Sequence, residues 1–127
     1  MNYEELIKPW FAPPSSAFGI AWGILYPIIF FSFGYVFYMA LKKQLPFMVV
    51  LPFLLNLLFN FLFTPIQFGL ESNLLASIDV LLVVITLVWA MIAVYQYAPI
   101  VAYVQIPYLL WGLFAAILQI SITWLNW

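Results

Sequence analysis

Apolar residues fill the chain in four long blocks, separated only by short clusters of proline, lysine and small polar residues. With about 20 residues needed to cross a bilayer, the blocks predict spans near 16–41, 46–68, 73–96 and 99–125. Pro13 and Pro14 stop any upstream helix, and Ser15 or Ser16 can accept an amide hydrogen bond at the start of the first span. Lys42 and Lys43 end that span, and Pro46 restarts the chain. Gly69, Glu71, Ser72 and Asn73 form the second break, and Tyr95 to Pro99 the third. Connections this short make neighbouring helices antiparallel. The expected fold class is therefore an all-α integral membrane protein: a four-transmembrane-helix up-and-down bundle, with both termini on one side and residues 1–15 as an interfacial loop. No repeat or linker divides residues 1–127, so a single transmembrane domain is expected.

Charge sharpens this picture. Glu4, Glu5, Lys8, Lys42, Lys43 and Glu71 all lie outside the apolar blocks, and only Asp79 lies within one. Hydrophobic residues make up 69% of the chain, against about half in an ordinary globular protein, so lipid is the solvent for this fold. In hydrocarbon every backbone amide must be satisfied within its own segment or around a closed barrel. Blocks this long and continuously apolar do not suit barrel strands. Lys42 and Lys43 place the first loop in the cytoplasm, while Lys8 argues for the opposite orientation. Glu4 and Glu5 and the length of the first span do not fit a cleavable leader. A net charge of −1 gives nucleic acid nothing to hold. Without cysteine or histidine, disulfides, thiolate chemistry and the usual zinc and haem ligands are excluded.

Few polar groups lie at membrane depth. Asn56 and Asn60, four residues apart, share one face of the second span. Asp79 lies about 9 Å into the third span at 1.5 Å per residue, and a carboxylate at the bilayer centre costs about 2.5–3.5 kcal/mol, so it must face protein. It is either a proton or ligand site, or an interhelical anchor bonded to Asn60, a tyrosine or the backbone. Trp10, Trp124 and Trp127 fall at span ends, where indoles form an interfacial belt. Trp111 lies near the midplane, where a belt does not explain it. Tyr108, Trp111, Ala115 and Leu118 share one face of the last span, with Gln119 alongside, and Trp22 and Tyr26 are one turn apart on the first. These faces either line an aromatic cavity or are ordinary helix packing. No paired carboxylate, Ser–His–Asp set or phosphate loop is present. What remains is the chemistry of a binding pocket: shape, apolar walls, ring stacking and a few hydrogen-bonding groups.

The order and spacing of particular residues resemble the tryptophan-rich sensory protein and translocator protein family, also called peripheral benzodiazepine receptors. The resemblance runs from Tyr3, Leu6, Lys8-Pro9, Phe11 and Pro13-Pro14 through Trp22-Gly23 and Leu25-Tyr26. It continues with Asn60-Phe61-Leu62-Phe63, Pro65, Phe68, Gly69, Ala76 and Asp79, and then Tyr95, Pro99, Pro107-Tyr108 and Trp111. Phe114-Ala115, Leu118, Trp124 and Asn126 complete it. It implies a helical bundle in a membrane, prokaryotic for this chain, acting as a receptor or sensor for a hydrophobic planar ligand such as a porphyrin or another tetrapyrrole. No cofactor is required beyond such a haem-like ligand. The only reaction the resemblance brings is light-dependent porphyrin breakdown. By position, Trp22 and Trp111 would be stacking walls, Asn60 and Phe63 further lining, Tyr108 a polar edge, and Ala115 with Leu118 the floor. Tyr26 and Asp79 complete the candidate ligand site, and Pro13 and Pro14 belong to the loop covering it.

The departures from the family pattern are equally specific. The family has five spans, and the resemblance places Met1 in the loop after the first. This predicts a groove sealed by lipid, by a second copy, or by a helix of another chain, unless the natural protein starts further upstream. Ser16, Phe61, Phe63 and Leu75 stand where many members carry tryptophan, and Gln119 stands for asparagine. With no charge after Asp79, a sterol motif with a basic residue is not expected. Two other readings remain open: a carrier of amphipathic small molecules, and a partner subunit completing a bundle with another chain.

Overall fold

A computed structural model describes residues 6–64, 66, 70 and 72–126. Glu4, Glu5, the break around Gly69 and Glu71, the family-like Tyr3, Pro65 and Phe68, and the belt residue Trp127 lie outside the described residues. Five helices are described: α1 (Ser15–Leu41), α2 (Phe47–Thr64), α3 (Asn73–Tyr95), α4 (Pro99–Val104) and α5 (Ile106–Leu125). Among the described residues there is no strand. α1, α3 and the α4–α5 pair are long and apolar enough to cross a bilayer. At 18 residues, α2 is shorter, about 27 Å.

Helix ends follow local chemistry, with three differences from expectation. Pro14, not a serine, takes the position before α1, and its extended backbone (φ −64°, ψ 155°) leaves that end without a side-chain cap. The Ala17 amide bonds the Pro14 carbonyl instead, at 3.0 Å. α2 is α-helical to Thr64, four residues before the expected boundary, and Ile66 beyond it is in π-helical geometry. The last span divides at Gln105, because Pro107 has no amide to donate and its ring crowds the carbonyl one turn back. α3, by contrast, has the serine cap that α1 lacks: Ser72 Oγ accepts from the Leu75 amide at 3.2 Å. After α1 the chain reverses through Lys43, at φ 59°, with Gln44 N bonding Met39 O and Lys43 N bonding Ala40 O, a Schellman ending.

α3 is the central element and packs along both α2 and α5, whereas α1 touches its neighbours more sparingly. Val36, Phe53, Leu87, Ala90, Val94 and Tyr108 have no exposed surface, and the Phe33 and Phe53 rings meet edge to face at 4.8 Å. The outward faces are greasy: Ile20, Ile24, Phe30, Phe31 and Leu41 on α1 all project away from the bundle. A continuous apolar exterior of this kind suits lipid and not water.

Candidate functional site

The polar residues of the second span are held in a network. Asn56 Nδ2 donates to the Val83 carbonyl at 2.9 Å and to Thr86 Oγ1 at 3.2 Å. Tyr108 donates its hydroxyl proton to Asn56 Oδ1 at 2.8 Å, and its oxygen accepts from Asn60 Nδ2 at 2.9 Å. Three helices are joined in this way, and each bond forms because its groups have no water to turn to. The hydroxyl of Tyr108 is therefore committed to the two asparagines and is not a free polar edge.

Asp79 lies on the α3 face shared with Val83 and Thr86, one turn before Val83. Because α2 runs antiparallel to α3, the turn from Asn56 to Asn60 brings Asn60 to the level of Asp79. The carboxyl group is buried, at 4% exposed, and its Oδ2 has no hydrogen-bond partner. None of the anchors expected for it, Asn60, a tyrosine or a backbone group, bonds that oxygen.

Rings surround this end of the bundle. Trp22 stacks on Tyr26 with centroids 5.1 Å apart and planes at 25°, and presents an edge to Tyr108 at 6.4 Å. Tyr26 is 46% exposed and backs Trp22 from the outside instead of facing the interior. Trp111 meets Phe18 at 5.8 Å and Phe114 at 5.4 Å, and its Nε1 is buried without a partner. Phe11 continues the line to Phe114 at 6.2 Å, with Trp10 beside it at 5.6 Å. The indoles expected at span ends are outermost, Trp10 at 94% and Trp124 at 82% exposed.

The segment before α1 folds over this end. Leu6 is buried against Leu118 and Ile122, with Phe11, Ala12, Phe18 and Phe114 packed around them. Asn126 clips the segment down: the Ile7 amide donates to Asn126 Oδ1 at 3.1 Å, and Asn126 Nδ2 donates to the Ile7 carbonyl at 2.8 Å. Leu118 is thus filled over by Leu6. Pro13 and Pro14 lead from the clipped segment into α1, and Ala115 and Phe63 are partly buried. Gln119 joins Ser77, Thr123 and the Asn73 carbonyl in a polar staple between α5 and α3.

Of the expected site residues, Tyr108, Trp22 and Trp111 pack with the main core, Asn60 joins them through the Tyr108 hydroxyl, and Leu118 lies under Leu6 of the N-terminal segment, with Phe18 and Phe114 linking the two groups at Trp111. Sequence reasoning missed Phe18 and gave no site role to Leu6, Phe114 or Asn126, which it named only for the family resemblance. Phe18 is four residues ahead of Trp22, so its spacing was the available signal. A separate groove of about 430 Å³ lies between α1 and α4, lined by Pro27, Ile28, Phe31, Ser32, Tyr35, Ile100, Val101 and Val104. It contains none of the expected site residues. Among the described residues no cluster of acidic side chains could hold a metal ion.

Fold and site together define a multi-pass helical membrane protein with an aromatic interior at one end. Residues 1–125 match the TspO/MBR family, and the chain belongs to that family. It is 35% identical over 125 residues to the uncharacterized membrane protein YtaB of Bacillus subtilis, covering 98% of this chain and 79% of that one. The tryptophan-rich protein TspO of Bacillus cereus is 33% identical, with 98% and 80% covered. The human translocator protein is 34% identical over 122 residues, with 92% and 70% covered. The bacterial relatives agree with the prokaryotic membrane expected for this chain.

Proposed function

We propose that this protein is a membrane receptor or sensor that holds a flat, hydrophobic tetrapyrrole between α1 and α5, beneath the N-terminal segment. The observation that carries the reading is the placement of two indoles, Trp22 and Trp111, on facing helices and turned toward interior rings, not toward lipid. A conjugated ring system gains about 0.5–1.5 kcal/mol per stacked aromatic pair beyond the area it buries. The polar substituents of such a ligand can stay at the wet rim near Trp10 and Pro14. Sensing is favoured over carriage because the spans hold one carboxyl group and no basic partner for a relay.

Titration of the purified protein with protoporphyrin, followed by tryptophan fluorescence, tests this. Saturable quenching is expected, weakened about tenfold or more in Trp111→Ala, the loss of a large aromatic wall. Absence of quenching, or an identical curve in the variant, overturns it.

A further inference from the structure

The groove between α1 and α4 lies apart from the aromatic end. Its volume of about 430 Å³ is within the usual range for a site that takes a small molecule. Gln105, at the α4–α5 junction, ties the two sides together by donating to Ser32 Oγ at 2.8 Å. Above that tie Val101 and Val104 are too short to fill the space in front of Phe31 and Tyr35. The α1 wall continues to a charge. Ile28, Phe31 and Tyr35 line the groove, and Tyr38 and Lys42 follow at the same three-and-four spacing, so all five share one face of the helix. Lys42 Nζ stands 5.6 Å from the centroid of the Tyr38 ring, which holds the ammonium over that face. Lys43 is next to it, and the other connection at this end, residues 96–98, carries no charge. Asp79, the one acidic side chain among the described residues, lies toward the opposite end. An apolar trough therefore runs up to a pair of lysines with no carboxylate among the described residues to answer them.

We propose that this groove holds one anionic phospholipid, its phosphate on Lys42 with Lys43 beside it, and one acyl chain lying along Tyr35, Phe31 and Ile28 as far as Pro27. The lengths agree. From Lys42 to Pro27, the deepest lining residue of α1, is about 15 residues' rise, roughly 22 Å. A single leaflet with its headgroups is about 20–22 Å, half of a 40–45 Å bilayer. A lipid whose phosphate sits at the lysines thus ends its chain where the groove ends. Charge selects the headgroup: two ammonium groups near a membrane surface attract anionic lipid, whereas the cationic group of a zwitterionic headgroup offsets its own phosphate. The site also has a use in the fold. α1 touches its neighbours sparingly, and a chain seated between α1 and α4 supplies the packing that holds helices together in a membrane.

The test titrates the full chain in a neutral detergent with phosphatidylglycerol or phosphatidylcholine carrying identical palmitoyl and oleoyl chains, and counts bound lipid by native mass spectrometry. One phosphatidylglycerol should bind about tenfold tighter or more than phosphatidylcholine, since each of the two lysines is worth about fivefold. It should also raise the unfolding midpoint in detergent, because it binds the folded state. Lys42→Gln should cost about fivefold in phosphatidylglycerol affinity. Lys8→Gln removes the same charge at the opposite end and should leave that affinity unchanged. Val104→Phe fills the groove and should weaken phosphatidylglycerol binding about fivefold or more with both lysines in place. Ile100→Trp blocks the same trough from its exposed side and serves if Val104→Phe does not fold. Equal affinities for the two lipids, equal losses in Lys42→Gln and Lys8→Gln, or binding untouched by filling the groove overturn the proposal. Full displacement of the lipid by water-soluble glycerol phosphate overturns it too, since the site would then read a phosphate and not a lipid.

Discussion

The two ends of this bundle hold their aromatic groups in different ways. Toward the end carrying the α1–α2 turn, Phe33 of α1 and Phe53 of α2 lock edge to face, and Val36 of α1 and Leu87 and Val94 of α3 are sealed. There Asn56 finds a partner on each of two other helices. At the end carrying the N-terminal segment, rings are strung from Trp10 through Phe11, Phe114 and Trp111 to Phe18. Nearby, a carboxyl oxygen and an indole N–H are left unbonded. The first region is what a membrane bundle needs in order to stay assembled, because without a hydrophobic drive between helices, packing and interhelical hydrogen bonds do that work. The second carries the longer run of ring contacts, whereas unpaired polar atoms occur in both regions, since Gln105 Oε1 at the α4–α5 junction is also buried without a partner.

If the division is real, damage to the sealed half should appear as lost stability and damage to the open half as altered binding. The largest effect is expected from Phe53→Ala, which deletes a fully buried ring against Phe33 and should destabilise by about 3–5 kcal/mol. The loss is measurable as a lowered midpoint in denaturing detergent. Next is Tyr108→Phe, which removes the hydroxyl linking Asn56 and Asn60 and strands Asn56 Oδ1. Orphaning a buried acceptor costs about 1–3 kcal/mol, toward the lower end in a membrane, where interhelical bonds are weaker than expected. Tetrapyrrole affinity, read by fluorescence, should fall only slightly in this variant, since the hydroxyl is already engaged. A large loss of affinity with unchanged stability would reassign Tyr108 to the ligand and blur the boundary between the halves.

The sequence made some of this plain and hid the rest for physical reasons. Spans could be placed because lipid tolerates so few polar residues that Lys42, Lys43 and Asp79 stand out in an otherwise greasy chain. The face shared by Tyr108, Trp111, Ala115 and Leu118 followed from helical spacing alone. Spacing assigns a face to a helix but not the partner opposite it, so the commitment of Tyr108 to Asn56 was invisible, as was the outward position of Tyr26. Pro107 was legible as a residue but not as a break, since a proline within an apolar run can either kink or divide a helix. The pairing of Ile7 with Asn126 joins residues 119 apart in the chain. No local pattern could have announced it.

That pairing gives the smallest and most local of the predictions. The Asn126 side chain imitates a peptide group, accepting from the Ile7 amide and donating to the Ile7 carbonyl, while its nitrogen also reaches the Ile122 carbonyl at 2.9 Å. Asn126→Ala removes all three bonds at a site near water, so the loss should be only about 1 kcal/mol. Leu6 should still pack on Leu118 and Ile122, because apolar contact holds that part of the segment. The consequence should therefore be kinetic: bound tetrapyrrole should dissociate about fivefold faster, as 1 kcal/mol off a closed segment implies, with the detergent midpoint almost unchanged. Stopped-flow displacement measures the rate, and hydrogen exchange at Ile7 reports the clip directly. An unchanged dissociation rate together with faster exchange at Ile7 would mean that the segment opens without uncovering the ligand, moving the route of exit to the lipid-facing side of α1.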